Sequence, residues 1–327
     1  MKAIVRHRFG GPEVLQIEEV PTPKAGPGEV LVRVRAFGLN RAEQYFRMGL
    51  WGDVAAISGI ECVGEVAQDP SRELQAGQAV IALMGGMGRS IAGSYAEFVC
   101  VPRTSVVAVS SKLSWQDLAS LPESYATAWS CLFDNLAITR GQVLVVRGAT
   151  SALGQAAVNM ASAAGITVVA TVRTDKRLDF VRSLGAEWVL LEGPDLRAQL
   201  LEKFPGGVDA VLDLIGNSTV LDSLHMARRG GRVCMAGFLG GADPIENFNP
   251  LVHMPSGRHL SFFASAFVYG TPEYPLSDIP FQTIIDRADS GSYRSKPAHV
   301  FGFAQIQDAH RLMESNELRG KIVISVA

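Results

Sequence analysis

Hydrophobic and polar positions follow two different patterns along the chain. In the first third, "EVLVRVRAF" (29–37) has valine at every second position, and this period of two predicts a half-exposed strand. Shorter apolar segments follow in "GIECVGEVA", "AVIAL" and "SYAEFVCVP", separated by Gly, Pro and Ser. This part of the chain therefore predicts a β-rich domain with antiparallel or barrel-like packing.

From about residue 141 the pattern changes to apolar strands that alternate with helical stretches. Helices are predicted over 152–164, 176–184 and 218–227, after the strands "QVLVVRG", "TVVATV" and "VDAVLDL". A further strand is predicted at "GRVCMAG", and such βαβ alternation predicts a parallel, doubly wound sheet. The chain ends with an amphipathic helix near 305–314 and the strand "GKIVISVA", which indicates a parallel-sheet domain inserted into a β-rich one.

Composition narrows the class of protein. The 327 residues include 30 basic and 32 acidic side chains, a formal net charge of −2, which favours neither nucleic acid nor an anionic membrane as partner. The four cysteines are far apart in sequence and predict neither a disulfide framework nor a metal knuckle. No apolar stretch is long enough for a membrane span and the start lacks a secretory pattern, so we expect a cytoplasmic protein.

The segment "VLVVRGATSALGQAAVNMA" (143–161) predicts a strand, a tight turn and a helix. Gly148 can turn the chain sharply, and Gly154 lets the helix approach the neighbouring strand. Ser151 stands where a glycine is expected, and its hydroxyl can donate to a phosphate or cap the helix. The alternative is an ordinary tight turn that binds nothing. The predicted pyrophosphate site consists of Gly148, Thr150, Ser151, Ala152, Leu153 and Gly154.

The end of the following strand indicates which dinucleotide is bound. An NAD site places an acidic residue there, but this chain reads "ATVRTDKR". Arg173, Thr174, Lys176 and Arg177 offer three cations and a hydroxyl to an adenosine 2′-phosphate, whereas Asp175 suits the first turn of the next helix. The sequence thus predicts NADPH over NADH, with a solvated basic helix start as the alternative.

At this point the chain resembles the medium-chain dehydrogenase/reductase superfamily, and within it the zinc-independent NADPH:quinone oxidoreductases, the zeta-crystallin-like branch. The segments that carry the resemblance span nearly the whole chain: "FGLNRAEQYFRMGLW", "GIECVGEV", "GSYAEFVCVP", "LPESYATAW", "VLVVRGATSALGQAAVNMA", "GVDAVLDLIG", "GGRVCMAGFLGG" and "GKIVI". The resemblance implies a GroES-like catalytic domain over 1–123 and 264–327, a Rossmann NADPH-binding domain over 124–263, and a homodimer.

Zinc-dependent members of that superfamily bind their catalytic metal through residues that this chain replaces. Asn40 stands where the first cysteine falls, and Ile60 stands where the histidine falls. The neighbouring pair Glu61 and Cys62 does not make a tetrahedral site. The chain is therefore expected to transfer hydride without zinc.

The resemblance places "LNRAEQYF" at the substrate cleft. Asn40 is a candidate to hydrogen-bond a substrate carbonyl, and Tyr45 to do the same or to donate a proton to the reduced product. Electron-poor acceptors, such as a quinone or an α,β-unsaturated ketone, suit a site without a metal. The alternatives are a turn residue for Asn40 and a partly buried aromatic residue for Tyr45.

Further candidate cofactor contacts come from positions that match the family. The resemblance implies that Thr127 hydrogen-bonds near the nicotinamide and that Lys321 reaches the cofactor. Backbone groups of Phe238 and Leu239, in the loop "GFLGG", are expected at the carboxyl edge of the sheet, where they can meet the carboxamide. Helix packing, a surface lysine and a plain glycine loop are the respective alternatives.

The apolar run "LSFFASAFVY" (260–269) predicts an edge strand that pairs with its twin in a homodimer, or else a buried central strand. Three functions stay open at this point. The first is reduction of a quinone by NADPH, and the second is reduction of an enone or 2-alkenal C=C bond. The third is a non-catalytic NADPH-binding protein used as structure or sensor.

Overall fold

A computed structural model describes residues 1–315 and 319–326 of the chain. The strands are β1 (Lys2–Arg6), β2 (Leu15–Glu19), β3 (Glu29–Gly38), β4 (Glu61–Gln68), β5 (Ala79–Leu83), β6 (Phe98–Pro102), β7 (Val106–Ala108), β8 (Val143–Arg147), β9 (Thr167–Val172), β10 (Trp188–Leu191), β11 (Val208–Asp213), β12 (Ala227–Met235), β13 (His259–Phe262), β14 (His299–Gly302) and β15 (Ile322–Ser325).

Helices alternate with many of these strands. They are α1 (Arg41–Met48), α2 (Trp115–Leu118), α3 (Pro122–Trp129), α4 (Ala152–Ala163), α5 (Leu178–Ser183), α6 (Leu196–Lys203), α7 (Val220–Met226), α8 (Pro250–His253), α9 (Ser265–Val268), α10 (Phe281–Asp289) and α11 (Ile306–Glu314). Ser130–Asn135 forms a π-helix directly after α3. Among the helices in residues 1–315 and 319–326, none combines the length and the apolar character needed to cross a bilayer.

The chain divides into two compact units. Unit 1 comprises Met1–Ala126, Ser265–Gly291 and Ser295–Ala327, and unit 2 comprises Thr127–Ala264 and Ser292–Arg294. The sequence pattern had indicated a β-rich domain made from both chain ends with a parallel-sheet domain between them. The predicted mixed α/β fold, with a GroES-like and a Rossmann part, is confirmed.

Unit 1 is organised around a seven-stranded sheet. Its strand order is β14-β15-β3-β4-β5-β7, and β6 pairs with β3. The pairs of β3 with β4 and with β6 are antiparallel, as the period-two pattern indicated. The valines at 30, 32 and 34 are buried, whereas Arg33 is exposed. Apolar residues of α11 cover this core, so the C-terminal helix closes the N-terminal sheet.

Unit 2 contains a six-stranded parallel sheet in the order β10-β9-β8-β11-β12-β13. Numbered from β8, this is 3-2-1-4-5-6, the order of a Rossmann dinucleotide-binding fold. The reversal lies between β8 and β11, which pair in parallel with Arg147 opposite Asp213. Ligands of such sheets bind at the carboxyl ends of the strands beside this reversal.

The apolar run at 260–269 differs from its prediction as one long strand. Only its first part is extended, in β13, and Ser265–Val268 forms α9 instead. β13 ends the sheet, beside β12, so the alternative of a buried central strand is wrong. The run has no period-two alternation, and an unbroken apolar run does not distinguish a strand from a short helix.

Candidate functional site

The phosphate turn lies between β8 and α4 in unit 2. Gly148 has φ +80, a left-handed conformation that favours glycine. A β-carbon there would lie 3.0 Å from Leu239 Cδ1, and one at Gly154 would lie 2.4 Å from the Gly148 carbonyl oxygen. The two glycines therefore let helix α4 begin tightly against the strand end, as the sequence predicted.

Ser151 uses its hydroxyl inside the turn. Its Oγ accepts from the Gly154 amide at 3.0 Å and donates to the Gly148 carbonyl at 2.9 Å. Of the two predicted uses of this hydroxyl, the structure has the helix cap. The amides of Ala152 and Leu153 lie in the first turn of α4, where the helix itself provides no carbonyl for them to donate to. They are therefore the groups of α4 suited to bind an anion.

The basic segment after β9 reaches the phosphate turn. Arg173, Thr174 and Lys176 are exposed and Arg177 is half-buried, in a 3₁₀ helix over Asp175–Arg177. Arg177 Nη1 donates to Thr150 Oγ1 at 3.2 Å. The predicted pyrophosphate and 2′-phosphate residues thus form one continuous polar surface at the ends of β8 and β9.

The loop after β12 also borders this surface. The Leu239 amide donates to the Leu214 carbonyl at 3.1 Å, and the Phe238 carbonyl accepts from the Gly241 amide at 3.1 Å. Of these two backbone groups, expected to meet a carboxamide, the Leu239 amide is therefore used by the segment after β11 and the Phe238 carbonyl by the loop itself. What the loop adds to the turn is the Leu239 side chain beside Gly148. Thr127 is buried in α3, at 2% exposure.

A buried ionic network below the turn was not predicted. Arg147 is 3% exposed, and its guanidinium donates to both carboxylate oxygens of Glu192, at 3.1 and 2.6 Å. Burial acts to lower the pKa of Arg147, but the pairing with Glu192 and nearby Asp213 and Asp222 outweighs it and raises the pKa. The network fixes the ends of the two strands that flank the reversal.

Asp213 is fully buried at the end of β11 and holds the loop that follows. It accepts from the amides of Ile215 and Gly216 at 2.9 and 3.0 Å, and from the hydroxyls of Thr219 and Ser223. The sequence carried a signal for Arg147 and Asp213, since each is a charged side chain at the end of a mainly apolar strand.

The candidate catalytic residues lie in unit 1. Asn40 precedes α1, and its backbone amide donates to Glu43 Oε2 at 2.7 Å, so the side chain sits at a fixed helix start. The Asn40 side chain donates from Nδ2 to Glu61 Oε1 at 2.9 Å and accepts at Oδ1 from Lys321 Nζ at 2.5 Å. Tyr45 is half-buried on the same helix, and burial raises its pKa.

Lys321 is buried in unit 1, where its ammonium also pairs with Glu61. A β-carbon at Gly38 would lie 2.3 Å from Lys321 Cε and 2.5 Å from Glu61 Oε1, so the glycine makes room for this ion pair. The second oxygen of Glu61 accepts from the Glu123 amide at 2.7 Å. Sequence reasoning found Asn40 and Lys321 separately but missed the carboxylate that joins them.

Glu43 completes a buried polar cluster with Asn40, Glu61 and Lys321. Burial raises the pKa of Glu43 to about 8; the Lys321 ammonium opposes the rise and Glu61 adds to it. Two buried carboxylates therefore share one ammonium, and burial brings the pKa of Glu43 close to neutral pH.

This donor set does not fit zinc. In the described residues, no three His, Cys, Asp or Glu side chains converge as metal ligands. The oxygens of Asn40 and Glu61 face the Lys321 ammonium, and burial raises the pKa of the nearby Cys62 thiol well above its usual range. Zinc ligands are deprotonated thiolates, neutral imidazoles or carboxylates that face an open position.

Comparison with known proteins gives family matches in both units. The family model described as alcohol dehydrogenase GroES-like domain matches residues 26–111, and the one described as zinc-binding dehydrogenase matches residues 152–277. A quinone oxidoreductase of Sus scrofa is 29% identical over 99% of this chain and 97% of its own.

Two further relatives extend the comparison. A 2-haloacrylate reductase of a Burkholderia species is 27% identical over 98% of both chains. The crystal structure of Escherichia coli quinone oxidoreductase complexed with NADPH aligns with a TM-score of 0.87, at 23% identity, over 99% of this chain and 100% of that one. The aligned crystal structure shares the fold over its full length.

Proposed function

Since the chain belongs to the medium-chain dehydrogenase/reductase superfamily, in its quinone oxidoreductase branch, we propose that it transfers hydride from NADPH to a quinone-type acceptor without zinc. Oxidoreductase activity follows from membership of the superfamily, whereas the quinone acceptor and the absence of zinc are proposed for this chain.

The observation that carries the cofactor is the hydrogen bond from Arg177 to Thr150. It joins the cations after β9 to the phosphate turn, so one ligand with a pyrophosphate and a 2′-phosphate can contact both. No acidic residue ends β9, where an NAD site requires one. NADPH supplies the hydride when bound, and we assign Gly148, Thr150, Ala152, Leu153 and Arg177 to its phosphates.

The residues of unit 1 are assigned to the acceptor. Asn40 Nδ2 donates to Glu61 Oε1 at 2.9 Å and, more weakly, to Glu43 Oε1 at 3.4 Å. Asn40 is assigned to the acceptor carbonyl, which would replace the weaker of these two bonds. Tyr45 is assigned the proton that the reduced product takes up. Thr127, Phe238, Leu239 and Lys321 stay predictions as direct cofactor contacts.

The test follows NADPH absorbance with a panel of quinones and enones. A quinone turned over faster than every enone supports the proposal. The relative that reduces a 2-haloacrylate favours the second candidate, reduction of an activated C=C bond, and faster enones would support that one. If calorimetry shows NADPH binding but no acceptor is turned over, the result would support a non-catalytic NADPH-binding protein. Stoichiometric zinc in the purified protein would refute the metal-free mechanism.

We also propose a homodimer through β13. The strand ends the six-stranded sheet and exposes Leu260 and Phe262, at 40% and 53%. An uncovered apolar edge of this kind invites pairing with a second copy. A cytoplasmic location stays a prediction of the sequence.

A further inference from the structure

A second set of side chains in unit 1 presents aromatic faces and an unpaired cation close to the candidate catalytic residues. Trp51 follows α1 and packs on Phe46 of that helix, with ring centroids 5.2 Å apart. Trp51 also stacks with Phe267 of α9, with ring centroids 5.6 Å apart and 12° between the ring planes. The Arg89 guanidinium lies 5.1 Å from the Phe267 ring centroid. We call Trp51, Phe267 and Arg89 the aromatic–arginine wall.

Among the described residues Arg89 has no carboxylate partner, in contrast to Arg47 and Arg35. Buried Arg6 has no ion pair there either, but Asp53 raises its pKa against the effect of burial. Buried Arg47 pairs with Glu314 and half-buried Arg35 pairs with Glu65, but no carboxylate of the described residues lies within ion-pair distance of Arg89. Its Nη2 donates to the Ala266 carbonyl. Burial lowers the pKa of Arg89, with no acidic group to oppose it.

A half-buried cation without a counter-ion is costly unless a ligand supplies the charge. Arg89 is anchored on one side by Ala266 and by the Phe267 ring, so its remaining donors are held in place. An anion that reached them would form charge-assisted hydrogen bonds. Phe267 is 62% exposed, although Trp51 stacks on it and Arg89 lies over its ring. Its exposed edge is therefore the part that a flat ring next to that anion can contact.

Hydrogen bonds connect the segments that carry the aromatic–arginine wall to the candidate catalytic residues. The segment after Arg89 is bonded to the strand entrance, because the Ser94 amide donates to the Gly59 carbonyl and Ser94 Oγ to the Glu61 carbonyl. The helix of Phe267 is bonded through Ser265 to Glu123, whose amide donates to Glu61. Glu61 in turn accepts from Asn40. The segment that follows Arg89 and the helix that carries Phe267 are therefore both connected to Glu61.

From this arrangement we infer that the protein prefers flat conjugated acceptors that carry an anionic group, and that Arg89 selects them. This rests on the proposed function, since the acceptor is the molecule that takes the hydride. The anion takes no part in bond making. Arg89 binds it, and the exposed edge of Phe267, with Trp51 stacked behind it, contacts the acceptor's flat part.

Turnover tests the inference with two matched acceptors. One is a 1,4-benzoquinone with a propionate arm, and the other is its methyl ester, in which the saturated arm keeps the ring chemistry alike. We expect wild type to favour the carboxylate in kcat/KM by about tenfold at low salt, the range of one partly exposed charge-assisted bond. In Arg89→Met the ratio should fall to about one, while the ester rate changes less than about threefold.

Arg33→Met is the matched control, because Arg33 lies over Phe98 in the same unit at 5.2 Å and should leave the ratio unchanged. Arg89→Lys should keep part of the preference, since the charge remains without the planar fork. A wild-type ratio near one, or an equal loss of both rates in Arg89→Met, would overturn the inference.

Binding of a flat anion that cannot be reduced separates this inference from the proposed function. Calorimetry with 1-naphthaleneacetate should show binding to wild type and at least about tenfold weaker binding to Arg89→Met. Binding without turnover of either quinone would keep the anion site and refute quinone reduction. Equal binding to both proteins, or no binding to wild type, would refute the anion site.

Discussion

Glu43 shows how a single residue takes a role that its type does not predict. Its carboxyl is enclosed between Asn40, Glu61 and the Ile60 amide, and among the described residues Lys321 supplies the ammonium that contacts the cluster. A glutamate at the first turn of a helix is ordinarily an exposed capping residue. Here Glu43 still caps α1 but is fully buried, and burial raises its pKa.

Replacing Glu43 by Gln should change how stability depends on pH. The folded-state pKa of about 8 lies above the ordinary value of 4.5, so the unfolded chain loses this proton first as pH rises. Stability from this group is therefore complete below about pH 4.5, falls between 4.5 and 8, and is constant above. In Glu43→Gln the melting temperature should no longer fall across that window. In wild type, linkage gives a change in the free energy of unfolding of up to about 5 kcal/mol there.

The control for Glu43→Gln is Glu19→Gln, at an exposed site of β2, which should leave the pH profile of melting unchanged. A Glu43→Gln protein whose melting temperature falls with pH as steeply as that of wild type would contradict the raised pKa of Glu43.

Tyr45→Phe should separate proton donation from cofactor binding. The half-buried phenol is the hydroxyl that α1 carries beside Asn40, and general-acid groups contribute about 10²-fold or more to turnover. We expect kcat to fall by about that factor while the NADPH dissociation constant, measured by fluorescence, stays as in wild type. An unchanged kcat would argue against Tyr45 as the donor.

At the scale of elements, the phosphate turn and the 3₁₀ helix after β9 act as one unit because Arg177 bridges them. Neither element reveals this on its own, since the turn has one glycine fewer than expected and the basic segment is partly solvated. Their adjacency follows from the parallel pairing of β8 with β9, which brings both strand ends to one edge.

Arg177→Met should remove the preference for the phosphorylated dinucleotide. Loss of one charge-assisted bond to the 2′-phosphate corresponds to about a 10- to 100-fold rise in the NADPH dissociation constant. NADH binding should be nearly unchanged, because that ligand has no such phosphate. Calorimetry with both dinucleotides measures the difference.

Arg182→Met is the control for this variant, because Arg182 lies on the adjacent α5 and pairs at the surface with Asp179. It should bind NADPH as wild type does. Equal weakening of NADPH and NADH by Arg177→Met would point to a distorted turn and against a 2′-phosphate contact.

At the scale of the whole molecule, the outer edge of the parallel sheet is the feature that a single copy leaves open. β13 pairs on one side with β12, and its exposed apolar residues lie on the outermost strand of the sheet. A second copy placed against it would continue the hydrogen-bond ladder and cover Leu260 and Phe262.

Leu260→Lys should therefore dissociate the protein. We expect wild type at micromolar concentration to scatter light as a particle of twice the 35.0 kDa chain mass, and the variant as a single chain, because a buried lysine on the edge opposes pairing. Leu191→Lys, at the exposed end of β10 on the opposite edge, is the control. A wild type that scatters as 35.0 kDa would refute the dimer.

The sequence determined the elements whose pattern is local. Alternating valines at 30–34 and the strand–turn–helix at 143–163 were correct because side-chain period and turn chemistry are properties of a few neighbouring residues. The run at 260–269 was wrong in part, because an unpatterned apolar segment forms a strand or a helix according to what it packs against. Local patterning therefore gave the fold class and the phosphate turn.

Only the tertiary structure decided which distant residues share a site. Lys321 and Asn40 are 281 positions apart, and Glu61 joins them because β15 and β4 both pair with β3. Arg89 and Phe267 are likewise in contact although they lie far apart in sequence. Burial and pairing set the charge state of Glu43 and leave Arg89 without a counter-ion, and both depend on neighbours that sequence spacing does not specify.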